Sequence, residues 1–377
     1  AGFRLLEFQL ANNAIYFLAE LTLVIVLFTD ASRIDLKLLY REHNLPVRLL
    51  TIGLPLSIAF GTLIAWLLFQ ELGFWQAAVL ATIVTPTDAA LAHVVVTNKL
   101  VPIRIRQSIS VESGLNDGLC LPLFLIFLCG ARVAEHPEST AYWVRFTAMQ
   151  VGLGPLVGIG VGYVGGKLIE HASRREWISH SFLELTTLAL ALLSFGAAEL
   201  VGGNGFIAAF CAGLTIGNVS RALCGAVREF AETEGQLLTL LVFLVFGAVL
   251  LPQAFANITF LGFFYSIMGM TVLRMLPVAV SLVGTRLRRD TRLFVGWFGP
   301  RGVASIVFAL VLMEEIAIPA RQEVFAVAMA TVALSVFSHG LTAYPAAKWY
   351  ARRTTATKKL GAAAEHESIN EMPFHRY

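Results

Sequence analysis

The stretch TPTDAALAHVVV, residues 85–96, lies at the end of a hydrophobic run that begins at Trp75 and is long enough to cross a lipid bilayer. Near the middle of this run, Pro86 removes a helix hydrogen bond and clashes with the preceding turn. Asp88 follows it, and a carboxylate at bilayer depth costs at least a few kcal/mol. Because broken helices persist in membranes only where they are buried in protein or line a cavity, the stretch predicts a spanning segment that serves an internal site.

The composition of the chain indicates a polytopic helical membrane protein. Of its 377 residues, 57% are hydrophobic and only 14% are charged, and the mean hydropathy is +0.72, whereas a soluble domain carries about a quarter charged residues. The four cysteines, Cys120, Cys129, Cys211 and Cys224, form no CxxC pair, so we expect buried thiols rather than a metal site or a disulfide. We expect no cofactor and no nucleic-acid partner.

Eleven runs are apolar and long enough to be predicted membrane spans. In chain order they cover residues 13–29, 45–70, 74–96, 105–130, 143–168, 181–200, 203–219, 235–252, 259–284, 293–313 and 322–346. The run at 203–219 is short and rich in glycine. Residues 1–346 are therefore predicted to form a transmembrane domain.

Basic residues are distributed unevenly between the two ends of these spans. Counted with the adjoining helix ends, the loops after odd-numbered spans and the C-terminal tail hold 22 Lys and Arg residues, whereas the even-numbered loops hold 3. Because basic loops stay in the cytoplasm, this asymmetry predicts a protein of the cell membrane with its N-terminus outside and its C-terminus in the cytoplasm. Residues 347–377 are predicted to form a polar cytoplasmic tail, flexible from residue 350 onwards.

Span four carries a polar stripe within the sequence ESGLNDG, residues 112–118. On a helix, Glu112 and Asn116 share one face, and Ser113 and Asp117 share another face about 100° away. Together they form one broad stripe, which must face protein or water rather than lipid. The stripe is a candidate binding site, and a purely structural role for Asp117 stays open.

Spans three and ten share a design, because each is interrupted near its centre by a proline beside a charge, as TPTD (85–88) and as GPRG (299–302). A broken helix exposes positive N-terminal and negative C-terminal ends. Asp88 could neutralise the first kind of end and Arg301 the second. Two such spans in well-separated parts of the chain predict an inverted-repeat transporter with its site at the membrane midplane. A purely structural role for Asp88 is equally compatible with the pattern.

Other ionisable residues in or near the spans are interpreted as structural. Arg274, in span nine, is expected to form an ion pair with Glu112. His93, near the end of span three, is expected to be packed and hydrogen-bonded. Solvation at span ends is expected for Glu199, Glu314 and Glu315.

An ordered set of motifs resembles the monovalent cation–proton antiporter family, and in particular its electroneutral sodium/proton branch. The motifs are PTDAA (86–90), ESGLNDG (112–118), GNGFIAAFCAGLTIGN (203–218), LVFLVFGAVL (241–250) and GPRGVASIVFALV (299–311). The resemblance implies a thirteen-helix inverted-repeat fold with two broken, crossing helices, in which a core domain moves against the dimerisation domain of a homodimer. The first span resembles the third helix of the family, so the first two family helices are expected to be absent from this chain.

The resemblance also implies an ion and proton site. Asp117 matches the aspartate that binds ion and proton, and Asn116 matches the asparagine that marks the electroneutral branch. Thr87 and Asp88 match the threonine–aspartate pair of the first broken helix, and Ser113 matches a hydroxyl residue one turn before Asp117. The transported Na⁺ is expected to be bound by Asp117, Asp88, Thr87 and Ser113.

Three further charges are implied to support this site. Glu112 and Arg274 match the acid and base of an ion pair, and Arg301 matches the arginine of the other broken helix. The chain departs from the family pattern at two positions, because Ala89 stands where many relatives have Pro and Asn204 stands where Ser is common. Both departures leave the choice of cation open.

The expected activity is exchange of one monovalent cation for one proton by alternating access. A single carboxylate that holds either H⁺ or a small hard cation gives one-for-one, electroneutral exchange. No substrate bond is broken, so no enzyme activity is expected. Na⁺ is the expected cation, with Li⁺ or K⁺ as alternatives. Two other classes stay open: an intramembrane aspartyl protease with Asp88 and Asp117 as its dyad, and a channel.

Overall fold

The computed structural model describes residues 12–41, 44–135, 139–315, 318–358 and 365, and every regular element within them is helical. The helices of the first half are α1 Asn12–Ser32, α2 Leu36–Arg41, α3 Asn44–Arg48, α4 Leu54–Leu68, α5 Phe74–Ile83, α6 Ala89–Val96, α7 Ile103–Glu135, α8 Thr140–Arg174 and α9 His180–Leu200. Those of the second half are α10 Gly205–Val219, α11 Arg221–Phe230, α12 Gln236–Val245, α13 Leu251–Phe255, α14 Phe260–Met270, α15 Val272–Ser281, α16 Arg289–Trp297, α17 Val303–Glu314 and α18 Arg321–Lys358. Short π-helical turns join α3 to α4, α11 to α12 and α12 to α13, at Leu49–Gly53, Ala231–Gly235 and Phe246–Leu250.

Eight helical stretches among the described residues are long and apolar enough to span a membrane. They are Ala14–Ser32, Asn44–Leu68, Ile103–Glu135, Thr140–Arg174, Phe182–Leu200, Thr233–Phe255, Phe260–Ser281 and Arg321–Thr354. The other three predicted runs contain the shorter apolar helices α5, α10 and α17. The helical membrane fold expected from the sequence is confirmed, whereas the count of eleven spans and the absence of two family helices stay predictions.

The two spans that contain the TPTD and GPRG motifs are each broken, and the breaks meet. The gap between α5 and α6 holds residues 84–88, and the gap between α16 and α17 holds residues 298–302. The two segments are hydrogen-bonded to each other, because the amide of Asp88 donates to the carbonyl of Pro300 over 2.7 Å. Four half-helices therefore end at one place inside the protein.

The run predicted as one continuous span at 259–284 is also interrupted. Thr271 lies between α14 and α15 with φ −102° and ψ −93°, outside the helical region. Close to this interruption, the carbonyl of Gly269 accepts a hydrogen bond from Arg301 Nη2 at 3.3 Å. The last carbonyls of a helix lack partners within that helix. The end of α14 can therefore accept a hydrogen bond from Arg301 of the second broken span.

Helix α10 packs closely against α8 through small residues. The glycines at 154, 158, 162 and 166 repeat every four residues and are buried on one face of α8. A Cβ at Gly158 would lie 2.3 Å from the carbonyl oxygen of Ala208 in α10, so only glycine permits this approach. Helix α10 also packs against α1, and the last turn of α1 contributes to the site described below.

The last helix extends beyond the predicted end of the membrane domain. The boundary predicted at residue 346 falls inside α18, and residues 350–358, predicted to be flexible, are helical. Tyr350 is buried and stacks on Phe294 of α16, with ring centroids 4.3 Å apart. The expected flexibility is therefore wrong as far as Lys358, because α18 continues to that residue and Tyr350 packs against Phe294. Apart from residue 365, the tail beyond Lys358 lies outside the described residues.

Candidate ion-binding site

Asp88 caps two half-helices at once. Its Oδ1 accepts hydrogen bonds from the amides of Ala90 (2.8 Å) and Leu91 (3.1 Å) in the first turn of α6. Its Oδ2 accepts a hydrogen bond from the amide of Val303 (3.1 Å), the first residue of α17. The first amides of a helix lack partners within the helix and carry partial positive charge, so one carboxylate stabilises both N-terminal ends.

Arg301 has the opposite role at the same crossing. Its Nη1 donates to the carbonyls of Thr85 (2.6 Å) and Pro86 (3.3 Å), just beyond the end of α5. Carbonyls at the C-terminal end of a helix carry partial negative charge, which a guanidinium stabilises. The structure thus places Asp88 at N-terminal ends and Arg301 at a C-terminal end, as the motif pattern suggests.

Gly302 leaves room for the carboxylate at this crossing. A Cβ at this position would lie 1.7 Å from Asp88 Oδ2. Each residue of GPRG after the first therefore has a physical role at the break. The proline interrupts the helix, the arginine binds carbonyls of the other broken span, and the second glycine admits Asp88.

Glu112 and Arg274 form an ion pair with two hydrogen bonds. Arg274 Nη1 lies 2.6 Å from Glu112 Oε1, and Nη2 lies 2.7 Å from Oε2. The side chains are 1% and 2% exposed, so each charge depends on the other to remain buried. The pairing expected from the sequence is present, and it occupies both carboxylate oxygens of Glu112.

Asn116 belongs to a buried polar network beside this ion pair. Its Nδ2 donates to Glu112 Oε1 (3.3 Å) and lies 3.4 Å from Thr87 Oγ1. Its Oδ1 accepts a weak hydrogen bond from the thiol of Cys120 at 3.1 Å. The Thr87 hydroxyl in turn donates to Ser113 Oγ at 3.2 Å. The network joins the first broken span to α7, so Asn116, Thr87 and Ser113 are engaged with other protein groups.

Asp117 stands apart from this network. Its side chain is 6% exposed, and its Oδ1 is buried without a hydrogen-bond partner among the described residues. Buried polar atoms are nearly always hydrogen-bonded, and an exception calls for a physical reason. A bound cation would coordinate this oxygen and a bound proton would remove its buried charge, and this choice between two ions is the property that an exchange site requires.

A cavity of about 310 Å³ reaches Asp117. Its polar and charged lining residues are Thr29, Asp30, Arg33, Asp88, His93, Asp117, Gln236 and Thr239. Of the residues expected to bind the ion, the structure brings Asp88 and Asp117 to this cavity. It places Thr87, Ser113 and Asn116 in the buried network instead.

Two groups of lining residues were not found from the sequence. Asp30 lies near the end of α1, with its Oδ1 3.8 Å from Arg33 Nη1. It follows the predicted span 13–29 by one residue, so the sequence alone places it in a loop. Helix ends are uncertain by one or two residues, so acids within a turn of each predicted end should also be weighed. Gln236 and Thr239 are the second group, and their spacing of three places them on one face of α12.

His93 also differs from expectation. It is exposed and lines the cavity rather than being packed within the protein. The expectation of a packed histidine is therefore wrong, because α6, which begins after the break in span three, lines the cavity.

Helices α7 and α17 are in contact beyond Asp117. Two turns further along α7, Phe124 stacks on Phe308 of α17 with ring centroids 4.9 Å apart and an interplanar angle of 11°. At the end of α7, Arg132 forms an ion pair with Glu315, the residue that follows α17. The Glu315 side chain remains 19% exposed, so it is paired as well as partly solvated. An aromatic contact and an ion pair thus join the two helices on the far side of the carboxylate.

These features together define a class of membrane protein. Two broken helices that meet inside the protein, beside a buried carboxylate at a cavity, are the architecture of a secondary transporter. The family model described as "Sodium/hydrogen exchanger, transmembrane" matches residues 5–349. The chain belongs to this family, which confirms the resemblance drawn from its motifs.

Relatives and solved structures add detail. The chain is 24% identical over 369 residues to the K⁺/H⁺ antiporter NhaP of Alkalimonas amylolytica, which covers 95% of this chain and 62% of that protein. It is 27% identical over 310 residues to the Na⁺/H⁺ antiporter of Schizosaccharomyces pombe, which covers 74% of this chain and 63% of that protein. The chain thus spans about six tenths of the length of these curated relatives.

The fold is also that of a solved transporter. The structure of the sodium proton antiporter MjNhaP1 from Methanocaldococcus jannaschii at pH 8 matches with a TM-score of 0.75 at 19% sequence identity. The match covers 91% of this chain and 88% of that chain, which shows a shared fold.

The geometry and the family both disfavour an intramembrane protease. The family is one of transporters rather than enzymes. An aspartyl protease needs two carboxylates that share a proton. Among the described residues, no hydrogen bond joins Asp88 to Asp117, and Asp88 is bound by three backbone amides.

Proposed function

We propose that the protein exchanges a monovalent cation for a proton across a membrane by alternating access. The observation that carries this proposal is Asp117, a buried carboxylate with an unbonded oxygen at a cavity beside two crossing broken helices. The family supports it, since its description is that of a sodium/hydrogen exchanger.

The mechanism depends on competition at one carboxylate. Deprotonated Asp117 offers a charged oxygen to a cation, whereas protonated Asp117 does not, so the two ions bind in turn. The neighbouring Asn116 carries no charge and cannot add a second proton to the cycle. Each turnover therefore moves one cation against one proton, without net movement of charge.

The proposed cation is Na⁺, and the alternative is K⁺ on the same fold. A Na⁺/H⁺ antiporter and a K⁺/H⁺ antiporter both occur among the curated relatives at similar identity. The carboxylate oxygen at Asp117 suits hard cations in general, so the choice depends on how the cavity replaces the water around each ion.

The proposed setting is a homodimer in the cell membrane. The excess of basic residues in the odd-numbered loops supports a cytoplasmic C-terminus. The cavity is lined by the end of α1 and the start of α12, which both adjoin these basic loops. On this orientation the cavity opens toward the cytoplasm, and the contact between α7 and α17 closes the opposite side.

The test is exchange in proteoliposomes that carry an imposed pH gradient. Na⁺, Li⁺ and K⁺ are added in turn, and the collapse of the gradient is followed with a pH-sensitive dye. We expect saturable collapse with Na⁺ and none in liposomes that contain Asp117→Asn. Collapse by no cation would refute antiport, collapse by K⁺ alone would select the alternative, and flux far above about 10³ per second would indicate a channel.

A further inference from the structure

His339 of α18 takes no part in the proposed exchange chemistry, yet it contacts the end of α16 directly and the second helix break through Ser335. Its ring is 3% exposed. Nε2 lies 2.7 Å from the carbonyl of Trp297, the last residue of α16. Nδ1 lies 3.1 Å from Ser335 Oγ. That hydroxyl accepts a hydrogen bond from the amide of Arg301 at 2.7 Å, within the break.

The hydrogen-bond roles in this group follow from the chemistry of each atom. The Trp297 carbonyl can only accept, so Nε2 carries the hydrogen. Nδ1 lies 3.1 Å from the Ser335 hydroxyl and 2.9 Å from the Ser335 carbonyl. In the tautomer that carries its hydrogen on Nε2, Nδ1 accepts from the Ser335 hydroxyl, which itself accepts from the Arg301 amide. The neutral ring therefore completes one continuous chain of hydrogen bonds, from the Arg301 amide through Ser335 and His339 to the Trp297 carbonyl.

A second proton on the ring would break this chain. Nδ1 could then no longer accept from the Ser335 hydroxyl and would donate to the Ser335 carbonyl, which at 2.9 Å already lies nearer than the hydroxyl at 3.1 Å.

Packing holds the ring in position. The indole of Trp297 stacks on His339 with ring centroids 5.2 Å apart and an interplanar angle of 30°. The indole Nε1 donates to Thr342 Oγ1 at 3.0 Å, one turn further along α18. Trp297, at the end of α16, thus contacts α18 at two positions one turn apart, His339 and Thr342.

We propose that His339 is a positioning residue for exchange. By fixing the carbonyl of Trp297 and, through Ser335, the amide of Arg301, it sets the geometry of the second break. That geometry keeps the Arg301 guanidinium on the carbonyls beyond α5 and the Val303 amide on Asp88. The inference rests on the proposed antiport function, and it assigns His339 no contact with the cation or with Asp117.

The test compares four variants with the wild type in proteoliposomes. His339→Ala and Ser335→Ala each break the chain, and His339→Gln restores a donor toward the Trp297 carbonyl. Ser338→Ala is the matched control, because its hydroxyl donates to the carbonyl of Leu334 in its own helix. We expect the first two variants to lower the maximal exchange rate about fivefold, which corresponds to one lost hydrogen bond.

The remaining expected results separate positioning from simple destabilisation. The cation KM should change less than about twofold, because the cation site at Asp117 is untouched. His339→Gln should recover part of the rate, and Ser338→Ala should behave as the wild type. The double variant Ser335→Ala with His339→Ala should be no slower than the slower single variant, since both act on one chain.

A measurement independent of transport keeps this inference separate from the proposed function. Hydrogen–deuterium exchange of the peptide that contains residues 298–303 should be faster in His339→Ala and in Ser335→Ala, and unchanged in Ser338→Ala. Unchanged protection of this peptide, or a wild-type maximal rate in His339→Ala, would overturn the positioning role. A wild type that exchanges no cation would instead refute antiport, while the deuterium result would still decide whether His339 holds the break.

Discussion

Asp88 and Asp117 are the same kind of side chain at one cavity, yet their surroundings differ. Both are buried, at 8% and 6% exposure. Asp88 holds three backbone amides on its two oxygens, whereas Asp117 has a buried oxygen with no partner among the described residues. Burial alone therefore does not mark a binding residue. The two carboxylates differ in whether protein groups already donate hydrogen bonds to their oxygens.

The largest expected effect comes from Asp117→Asn. The substitution keeps the size of the side chain but removes the charge that attracts the cation and the group that binds the proton. Exchange in proteoliposomes should fall to the level of protein-free liposomes. The thermal unfolding temperature should not fall, because no hydrogen bond to Oδ1 is lost. Near-normal exchange by this variant would remove Asp117 from the mechanism.

Glu112 is a third buried carboxylate, and its two oxygens accept hydrogen bonds from Arg274 rather than from backbone amides. Glu112→Gln or Arg274→Gln alone leaves a buried charge without its partner and should cost about 3–5 kcal/mol of stability. The double variant should be more stable than either single variant. Thermal unfolding across the four proteins measures this coupling, and losses that simply add would show that the two side chains are not partners.

Asp88→Asn should have a smaller effect than Asp117→Asn. The amide retains one acceptor oxygen for α6, but its nitrogen replaces an oxygen and faces the amide of Val303. One hydrogen bond to a charged group is lost, typically about 1.5 kcal/mol or more, so turnover should slow on the order of tenfold. Rate measurements at saturating cation should show this loss while cation binding remains. A complete loss of binding would mean that Asp88 is a ligand rather than a helix cap.

No effect is expected from membrane voltage. Asn116 is neutral, so one turnover at Asp117 moves one charge in each direction. Exchange rates with the membrane potential held at zero and at about −100 mV should agree, since moving one net charge through that potential would involve about 2.3 kcal/mol. A strong dependence on voltage would show that a second charge moves with the proton, contrary to a site with a single exchangeable carboxylate.

The local features of this comparison are readable from sequence. Long apolar runs define the spans, and proline beside a charge predicts the two breaks and the signs of the charges that stabilise them. Helical periodicity places Glu112 and Asn116 on one face of α7. Each inference depends only on residues within a few turns of one another.

Features that depend on distant contacts are not readable in this way. The amide of Asp88 meets the carbonyl of Pro300 only because two spans far apart in the chain cross. The cavity then exposes Asp117 but leaves Asn116, one residue earlier, inside the protein. Which side of the polar stripe faces the cavity is decided by the neighbouring helices, which periodicity within α7 does not specify.

The end of α18 is a second feature that depends on distant contacts, although its sequence is polar. Its final turns carry Arg352, Arg353 and Lys358, a composition that suggests a solvated tail. Tyr350 nevertheless packs on Phe294, and Arg353 Nη1 pairs with Asp290 at 3.5 Å. Contacts with α16 therefore support a helix that local composition does not predict.

Proton release induced by cations in purified protein tests the division of roles most directly. Wild type, Asp88→Asn and Asp117→Asn are held in weakly buffered detergent solution at several pH values, and the protons released on addition of Na⁺ or K⁺ are counted. We expect saturable release from the wild type and from Asp88→Asn where Asp117 begins protonated, fading at high pH where no proton remains to be displaced. Asp117→Asn should release none at any pH. Release that persists in Asp117→Asn and vanishes in Asp88→Asn would show that the two carboxylates have the opposite roles.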